Sequence, residues 1–365
     1  MYYCASAVTD VGTRKQTNQD GICIRVANTK EHGQVAMAVI CDGMGGLSKG
    51  EVASATVVRM FSNWFERVVS QGLFLYSMEE ISEAWKRMLR EENRRILEFG
   101  RKIHVNIGTT CSALFLMGNE FVIAHVGDTR IYAMTGEAFS PTRVTSDTIC
   151  SKGRTLPIIR WPLRQGASGK GCWKGGIRQL TLDQTYVARE VRLGNMTPEQ
   201  ARTHAKRSVL LQCVGASREV EPQVVLGEVR AGTVFLLCSD GFRHVLSEGE
   251  MYKNLYSVAF GNAKRLERNG KKLVKLVKER GEKDNISVAV IQCEESEELS
   301  PAAEVGPSMK VFSMAEPGQS GKLDTASELE QTAELPTLKP KNLEITEILQ
   351  SITIIHADEV INHYG

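Results

Sequence analysis

Val39-Ile40-Cys41-Asp42-Gly43-Met44-Gly45-Gly46 is the stretch from which the rest of the chain reads. The apolar run Val35–Cys41, bounded by charged or glycine-containing segments, has the composition of a buried strand. It delivers one carboxylate, Asp42, to the strand's end. The glycines that follow let the backbone turn sharply and come close to a ligand. Leu236-Leu237-Cys238-Ser239-Asp240-Gly241 repeats the design. Val126-Gly127-Asp128 is a third instance, Lys283-Asp284-Asn285 precedes a final apolar run, and Asn18-Gln19-Asp20 adds a carboxylate near the N-terminus. Any one Asp-Gly pair is above all a turn dipeptide; recurrence at strand ends is the informative feature. If the sheets bring these aspartates together, their repulsion needs cations to offset it. An all-oxygen donor set favours Mg²⁺ or Mn²⁺ over Zn²⁺, and no Cys/His cluster has zinc spacing.

Around these motifs the periodicity switches between strand and helix. Lys49–Gln71 and Met78–Ile103 carry apolar residues at helical spacing, Val52, Ala55, Met60 and Trp64 in the first and Ile81, Trp85, Met88, Leu89, Ile96 and Phe99 in the second. They predict two amphipathic helices packed as an antiparallel pair over a sheet, with Gly72 and Gly100 at helix ends. Ser112–Met117, Glu120–Val126 and Arg130–Met134 read as consecutive strands, the first two joined at Gly118-Asn119. Val234–Leu237 and Ile286–Gln292 read as later strands and Lys264–Arg280 as a late helix. His125 adjoins Asp128, but strand alternation points it away, so it reads as a structural histidine.

Composition bounds the class. The 365 residues are 42% hydrophobic and 24% charged, which excludes a wholly disordered chain and a disulfide mini-scaffold. No apolar run reaches membrane-spanning length, and the N-terminus lacks the features of a signal peptide. Nine cysteines, mostly in apolar runs, point to buried thiols in a reducing, cytoplasmic setting. The net charge of +2 hides an asymmetry: residues 294–365 hold 14 acidic and 4 basic side chains, leaving the body basic. Within that body, 140–178 holds eight basic residues and one acid. Cys172 to Arg178 fits a Cys-x5-Arg spacing but lacks the strand that should precede the cysteine. No nucleic-acid recognition module accompanies the basic loop, so nucleic acid is not an expected partner.

In order along the chain, Thr9-Asp10-Val11-Gly12, Asn18-Gln19-Asp20, Asp42-Gly43-Met44-Gly45-Gly46, Gly108-Thr109-Thr110, Val126-Gly127-Asp128-Thr129-Arg130, Cys238-Ser239-Asp240-Gly241 and Lys283-Asp284-Asn285 resemble the metal-dependent, type-2C serine/threonine protein phosphatases in their bacterial form. The resemblance spans about residues 3–292. It implies an α+β fold, a four-layer α/β/β/α sandwich whose central antiparallel β-sandwich is flanked by helix pairs. It implies two Mn²⁺ or Mg²⁺ ions, with a third, weaker one in bacterial relatives. Asp42 would bridge two ions with the Gly43 carbonyl assisting, Asp240 and Asp284 would complete one shell, Asp20 would act through metal-bound water, and Asp128 with Asp240 would hold the third. The ions would clamp the substrate phosphate and acidify a bridging water for in-line attack. The partners implied are phosphorylated proteins and a cognate serine/threonine kinase. A pseudophosphatase that binds phosphoproteins without turnover is the rival reading.

The chain departs from the family pattern at three places. Where the family commonly has a phosphate-binding arginine, this chain has Lys15, with Arg14 beside it; lysine supplies charge without a bidentate fork. Gln19 stands where a glutamate is frequent, and Met44 where many relatives have a histidine. The resulting expectation is a catalytic domain over 1–293, holding a basic insertion at 140–178 that favours acidic substrates and a flap segment at 179–215. An acidic disordered linker over 294–342 and a short C-terminal element over 343–365 follow. In the flap, Thr197, Pro198 and Gln200 predict a capped helix start.

Overall fold

A computed structural model of the chain describes residues 1–29, 32–45, 49–71, 76–136, 176–256, 262–295, 308–313 and 353–354. In chain order its elements are β1 (Tyr2–Asp10), β2 (Asp20–Thr29), β3 (Gly33–Gly45), α1 (Gly50–Ser70), α2 (Met78–Lys102), β4 (Ile107–Thr109), β5 (Cys111–Met117), β6 (Glu120–Val126), β7 (Arg130–Thr135), β8 (Gly176–Gln179), α3 (Tyr186–Arg192), α4 (Pro198–Thr203), β9 (Gln223–Glu228), β10 (Val234–Cys238), α5 (Asp240–Arg243), α6 (Glu248–Leu255), α7 (Ala263–Glu279), β11 (Ile286–Glu294), β12 (Ser308–Ser313) and β13 (Thr353–Ile354). Five strands form one sheet in the order β1-β11-β10-β7-β8, and eight form the other, with β2, β3, β5, β6 and β9 adjacent in that order. Every named pairing is antiparallel except that of β12 with β13.

Side-chain alternation turns this topology into layers. On β3, Ala36, Ala38 and Ile40 face the second sheet, meeting Phe235, Leu237 and Ile291, while Val35, Met37 and Val39 face the helices α1 and α2. The other sheet turns Leu236, Val288 and Val290 toward α6 and α7. Strands buried on both faces read as unbroken apolar runs rather than alternating ones, which is why Val35–Cys41 looked uniform in sequence. The α1–α2 layer is pinned by edge-to-face rings, Phe61 on Trp85 at 4.9 Å and Trp64 on Trp85 at 5.1 Å and on Phe115 at 5.5 Å. Such pairs contribute about 0.5–1.5 kcal/mol each beyond their burial.

The four-layer expectation holds, with local differences. Gly100 lies in the last turn of α2, where Val105 folds back to donate its N–H to the Gly100 carbonyl at 2.9 Å and its own carbonyl leaves no room for a side chain, while Gly72 lies outside the described residues. In the stretch expected as a structureless linker, Ser308–Ser313 forms β12, running antiparallel along the outer edge of β2 from Val26 to Cys23. An open sheet edge is a row of unsatisfied backbone groups that an added strand completes. Of the C-terminal element, Thr353–Ile354 pairs with Ser308–Met309. Most of the basic insertion lies outside the described residues; only Gly176–Arg178 is seen, in β8. The helix start at Thr197 is as expected, with a complete capping box to Gln200 and Pro198 in the first turn.

Candidate metal centre

The strand-end aspartates meet at one end of the sandwich. Asp20, first residue of β2, is the cross-strand partner of Asp42 on β3. Asp42 is fixed by its backbone: its N–H donates to Thr110 Oγ1 at 2.8 Å, and its carbonyl accepts from Thr110 N at 2.9 Å and Thr109 Oγ1 at 3.0 Å. This explains the Gly108-Thr109-Thr110 motif, which holds the aspartate's strand in place. A side chain on Gly43 would lie 2.4 Å from the carbonyls of Gln19 and Gly50, so only glycine admits this crossing of three segments.

The other sheet supplies the remaining carboxylates. β10 ends in Cys238, and Ser239 stands at the N-cap position of the short helix α5 that opens with Asp240, its hydroxyl turned to Ser287. Ser239 and Ser287 tie this turn to β11, the Ser239 N–H donating to Ser287 O and the Ser287 N–H to Ser239 Oγ, both at 3.0 Å. Asp284 sits in the loop before β11, its Oδ1 accepting the Asn285 N–H at 2.9 Å. Asn285 then bolts the loops together, accepting from Gln19 N at 3.0 Å and donating to Val11 O at 2.9 Å and Thr17 O at 3.1 Å.

These carboxylates feel one another. Burial, then Asp20, Asp240, Asp128 and Asp284, push Asp42 well above the usual carboxylate range. Burial, then the Asp240 and Asp284 charges, raise Asp20 to about 7, although the Ser287 and Ser239 hydroxyls pull the other way. Neither hydroxyl bonds it: Ser287 Oγ pairs with Thr9 Oγ1 at 2.7 Å and Ser239 Oγ donates to Ser287 O. Both Asp20 carboxylate oxygens and Asp240 Oδ1 are buried with no hydrogen-bond partner among the described residues. Burial and Asp240 also raise Asp128 to about 7, against the pull of Arg243. Orphaned carboxylate oxygens inside a repelling acidic set are costly unless a cation occupies the space between them.

Divalent Mg²⁺ or Mn²⁺ fits this donor set. Every candidate donor is a hard oxygen, and the buried oxygens that lack a partner are the ones a cation would satisfy. Among the described residues no three His, Cys, Asp or Glu side chains are already gathered around one point as a finished metal shell. Mg²⁺ sites commonly take one or two carboxylates and complete the shell with water, so a preassembled set of three is not required.

Other residues have assignments the sequence did not give. Arg130, in the third motif, reaches 53 residues along the chain to grip Asp183 through Nε at 2.8 Å and Nη2 at 2.6 Å, and its Nη1 donates to Tyr132 Oη at 2.9 Å. Burial would raise the Asp183 carboxyl, but Arg243 and the Arg130 fork hold it down at about 2. Gln184 pairs with the Gly127 backbone in both directions, at 2.8 and 2.9 Å, so the flap is anchored beside Asp128. His125 is structural as expected: it is buried, Nδ1 meets Ser112 Oγ at 2.8 Å and Nε2 meets the Leu182 carbonyl at 3.1 Å, and burial pushes its pKa to about 4. Lys15 reaches the cluster, its Nζ 3.0 Å from Asp284 Oδ1, whereas Arg14 is exposed. A separate cleft of about 270 Å³ along α1 begins at Gly21, and within it Arg25 bonds Ser62 and pairs with Glu66.

Comparison with known proteins bears on the fold. The protein phosphatase 2C family model matches residues 12–148, which include Lys15, Asp20, Asp42 and Asp128. Over that stretch the chain is similar to the protein phosphatase 2C family. It is 25% identical over 294 residues to the protein phosphatase PhpP of Streptococcus pneumoniae, covering 80% of this chain and 98% of that one. It is 25% identical over 286 residues to the serine/threonine phosphatase stp of Listeria monocytogenes, covering 78% and 93%. Among solved structures, the S. agalactiae serine/threonine phosphatase matches with a TM-score of 0.60 at 27% identity, over 80% of this chain and all of that one. The catalytic domain of the phosphatase PstP, solved with two manganese ions, shares the fold at a TM-score of 0.56 and 22% identity, over 80% and 99%. The type-2C fold accounts for the paired sheets and for one helix layer on each side. No helix among the described residues is long and apolar enough to cross a membrane.

Proposed function

We propose that the chain is a metal-dependent phosphatase that hydrolyses phosphoserine and phosphothreonine on proteins, opposing a serine/threonine kinase. The observation that carries this reading is the convergence of Asp20, Asp42, Asp128, Asp240 and Asp284 into one mutually repelling cluster with orphaned carboxylate oxygens. Asp42, Asp240 and Asp284 would hold two Mn²⁺ or Mg²⁺ ions, assisted by the Gly43 carbonyl and by Asp20 through water, and Asp128 with Asp240 a third. Bound there, the ions would neutralise charge on the phosphate oxygens and activate a water for in-line attack on phosphorus.

The chain's own residues set the rest. Asp42 is influenced by all four other carboxylates, which suits a bridging ligand. Lys15, with Arg14 beside it, supplies the cationic contact to the substrate phosphate as a point charge rather than a fork. Met44 offers no proton to the leaving oxygen. The basic insertion at 140–178 is proposed to favour acidic phosphoprotein segments. The described cysteines are all free thiols, which suits the reducing cytoplasm.

A peptide dephosphorylation assay tests the reading. Turnover of phosphoserine and phosphothreonine peptides should require Mn²⁺ or Mg²⁺, fall to background on chelation and return on re-addition. Turnover indifferent to chelation would contradict the metal role. Phosphopeptide binding without turnover in the presence of Mn²⁺ would favour the pseudophosphatase reading instead.

A further inference from the structure

We infer that Lys15 is a tethered counter-ion of the acidic cluster: it occupies Asp284 when no metal is bound and gives it up when a divalent cation enters. The inference rests on the metal-centre reading above and deepens it.

The loop that carries Lys15 is held against the loop that carries Asp284. Thr13 Oγ1 donates to Glu282 O at 2.6 Å, and Asn285 Nδ2 bonds the carbonyls of Val11 and Thr17 on either side of the lysine. Gly12, at φ +81°, makes the tight approach possible, since a side chain there would lie 2.0 Å from the Asp284 carbonyl. The clamp places the lysine stem beside the cluster, and its Nζ settles 3.0 Å from Asp284 Oδ1. Besides Asp284, the charges of Asp42 and Asp240 act on the same ammonium.

One ammonium cannot satisfy the set. Asp20 and Asp240 keep buried oxygens without a partner while Lys15 serves Asp284. A divalent ion that recruits Asp284 competes directly with that ammonium for Oδ1. Both side chains of the pair are a little under half exposed, 44% and 43%, so the lysine can swing out on its flexible stem. The displaced ammonium is then available at the mouth of the centre for the phosphate that the metal attracts. Lysine suits this exchange, whereas an arginine fork would grip the carboxylate with two bonds.

Calorimetric Mn²⁺ titration of the full-length protein without substrate tests the exchange. Lys15→Gln should bind Mn²⁺ about two- to fivefold more tightly than wild type at low salt, the size expected for a half-exposed ion pair, and the difference should shrink as salt rises. Lys15→Arg, which keeps the charge, should bind no more tightly than wild type. In thermal melts Lys15→Gln should unfold below wild type without metal and at or above it with Mn²⁺. Equal or weaker Mn²⁺ binding by Lys15→Gln, or equal tightening by Lys15→Arg, overturns the inference while leaving the metal centre intact. A wild-type protein that binds no Mn²⁺ overturns both together.

Discussion

Asp42→Asn should melt higher than wild type in the absence of metal, yet lose Mn²⁺-dependent phosphatase activity by a factor of about 10³ or more. The gain follows from the sign of the shifts. Asp20 and Asp128 are raised to about 7, and Asp42 lies well above its ordinary range. Between the unfolded carboxylate range near pH 4 and pH 7, the folded protein therefore holds protons that the unfolded chain has released. Stability falls with pH wherever the native state binds more protons, so this cluster costs the metal-free protein increasing stability across that window and its full penalty above it. His125, held at about 4, works in the opposite direction, gaining stability as pH rises to about 6.5. It is common to both proteins, so comparing variant with wild type at one pH isolates the cluster.

Removing the carboxylate that all four others repel should raise the metal-free melting temperature by about 5 °C near pH 8, and by less near pH 5. The asparagine would keep its place because the backbone of residue 42, through Thr109 and Thr110, fixes the strand. Added Mn²⁺ should stabilise wild type and leave the variant nearly unmoved. Differential scanning calorimetry with and without Mn²⁺ reads all of these effects. A variant less stable than wild type without metal would show that Asp42 contributes packing or bonding rather than repulsion.

Arg130→Met should be the more damaging change to the fold. It strips the bidentate partner from Asp183, a carboxylate only 14% exposed and otherwise left with Gln179 Nε2 at 3.0 Å and Arg243 at 3.6 Å. Removing one partner of a buried pair typically costs about 3–5 kcal/mol, because the other charge stays behind. The damage should spread locally. Asp183 lies next to Gln184, whose bonds to Gly127 anchor the flap, so amide exchange across 180–192 should accelerate more than exchange in β3 or β5. Loss of the nearby cation should also raise Asp128 further, since Arg130 is one of the charges holding it down. Arg130→Met combined with Asp183→Leu should recover most of the stability, because an apolar pair of similar volume can replace a buried ion pair. Urea midpoints and hydrogen exchange measure both. A single variant within about 1 kcal/mol of wild type with an unchanged flap would contradict the anchoring role.

The fold was legible where local signals were strong. The helical spacing of Ile81, Trp85, Met88 and Ile96 placed α2, and the apolar runs leading to Asp42 and Asp240 placed two strands at whose ends the candidate site lies. The capping box at Thr197 was readable because it lies within four residues. What stayed hidden depends on segments far apart in the chain. Nothing local to Arg130 announces Asp183, since residues 137–175 and a change of strand separate them. Lys15 read as a phosphate ligand from the family resemblance, but its pairing with Asp284 depends on two loops that the sheet order β1-β11 brings together. Arg243 gave no signal because α5 is a single turn. β12 was masked by its surroundings: a six-residue strand in an acidic, proline-containing stretch lacks flanking periodicity, and its partner edge on β2 lies almost three hundred residues earlier.

Anomalous diffraction at the manganese edge, from crystals of the full-length protein grown with Mn²⁺, tests the metal centre most directly. Strong peaks are expected between Asp42 and the Asp240–Asp284 loops, with Asp20 facing them and Lys15 withdrawn from Asp284. Manganese bound elsewhere on the molecule, with the acidic cluster empty at saturating metal, would contradict this assignment.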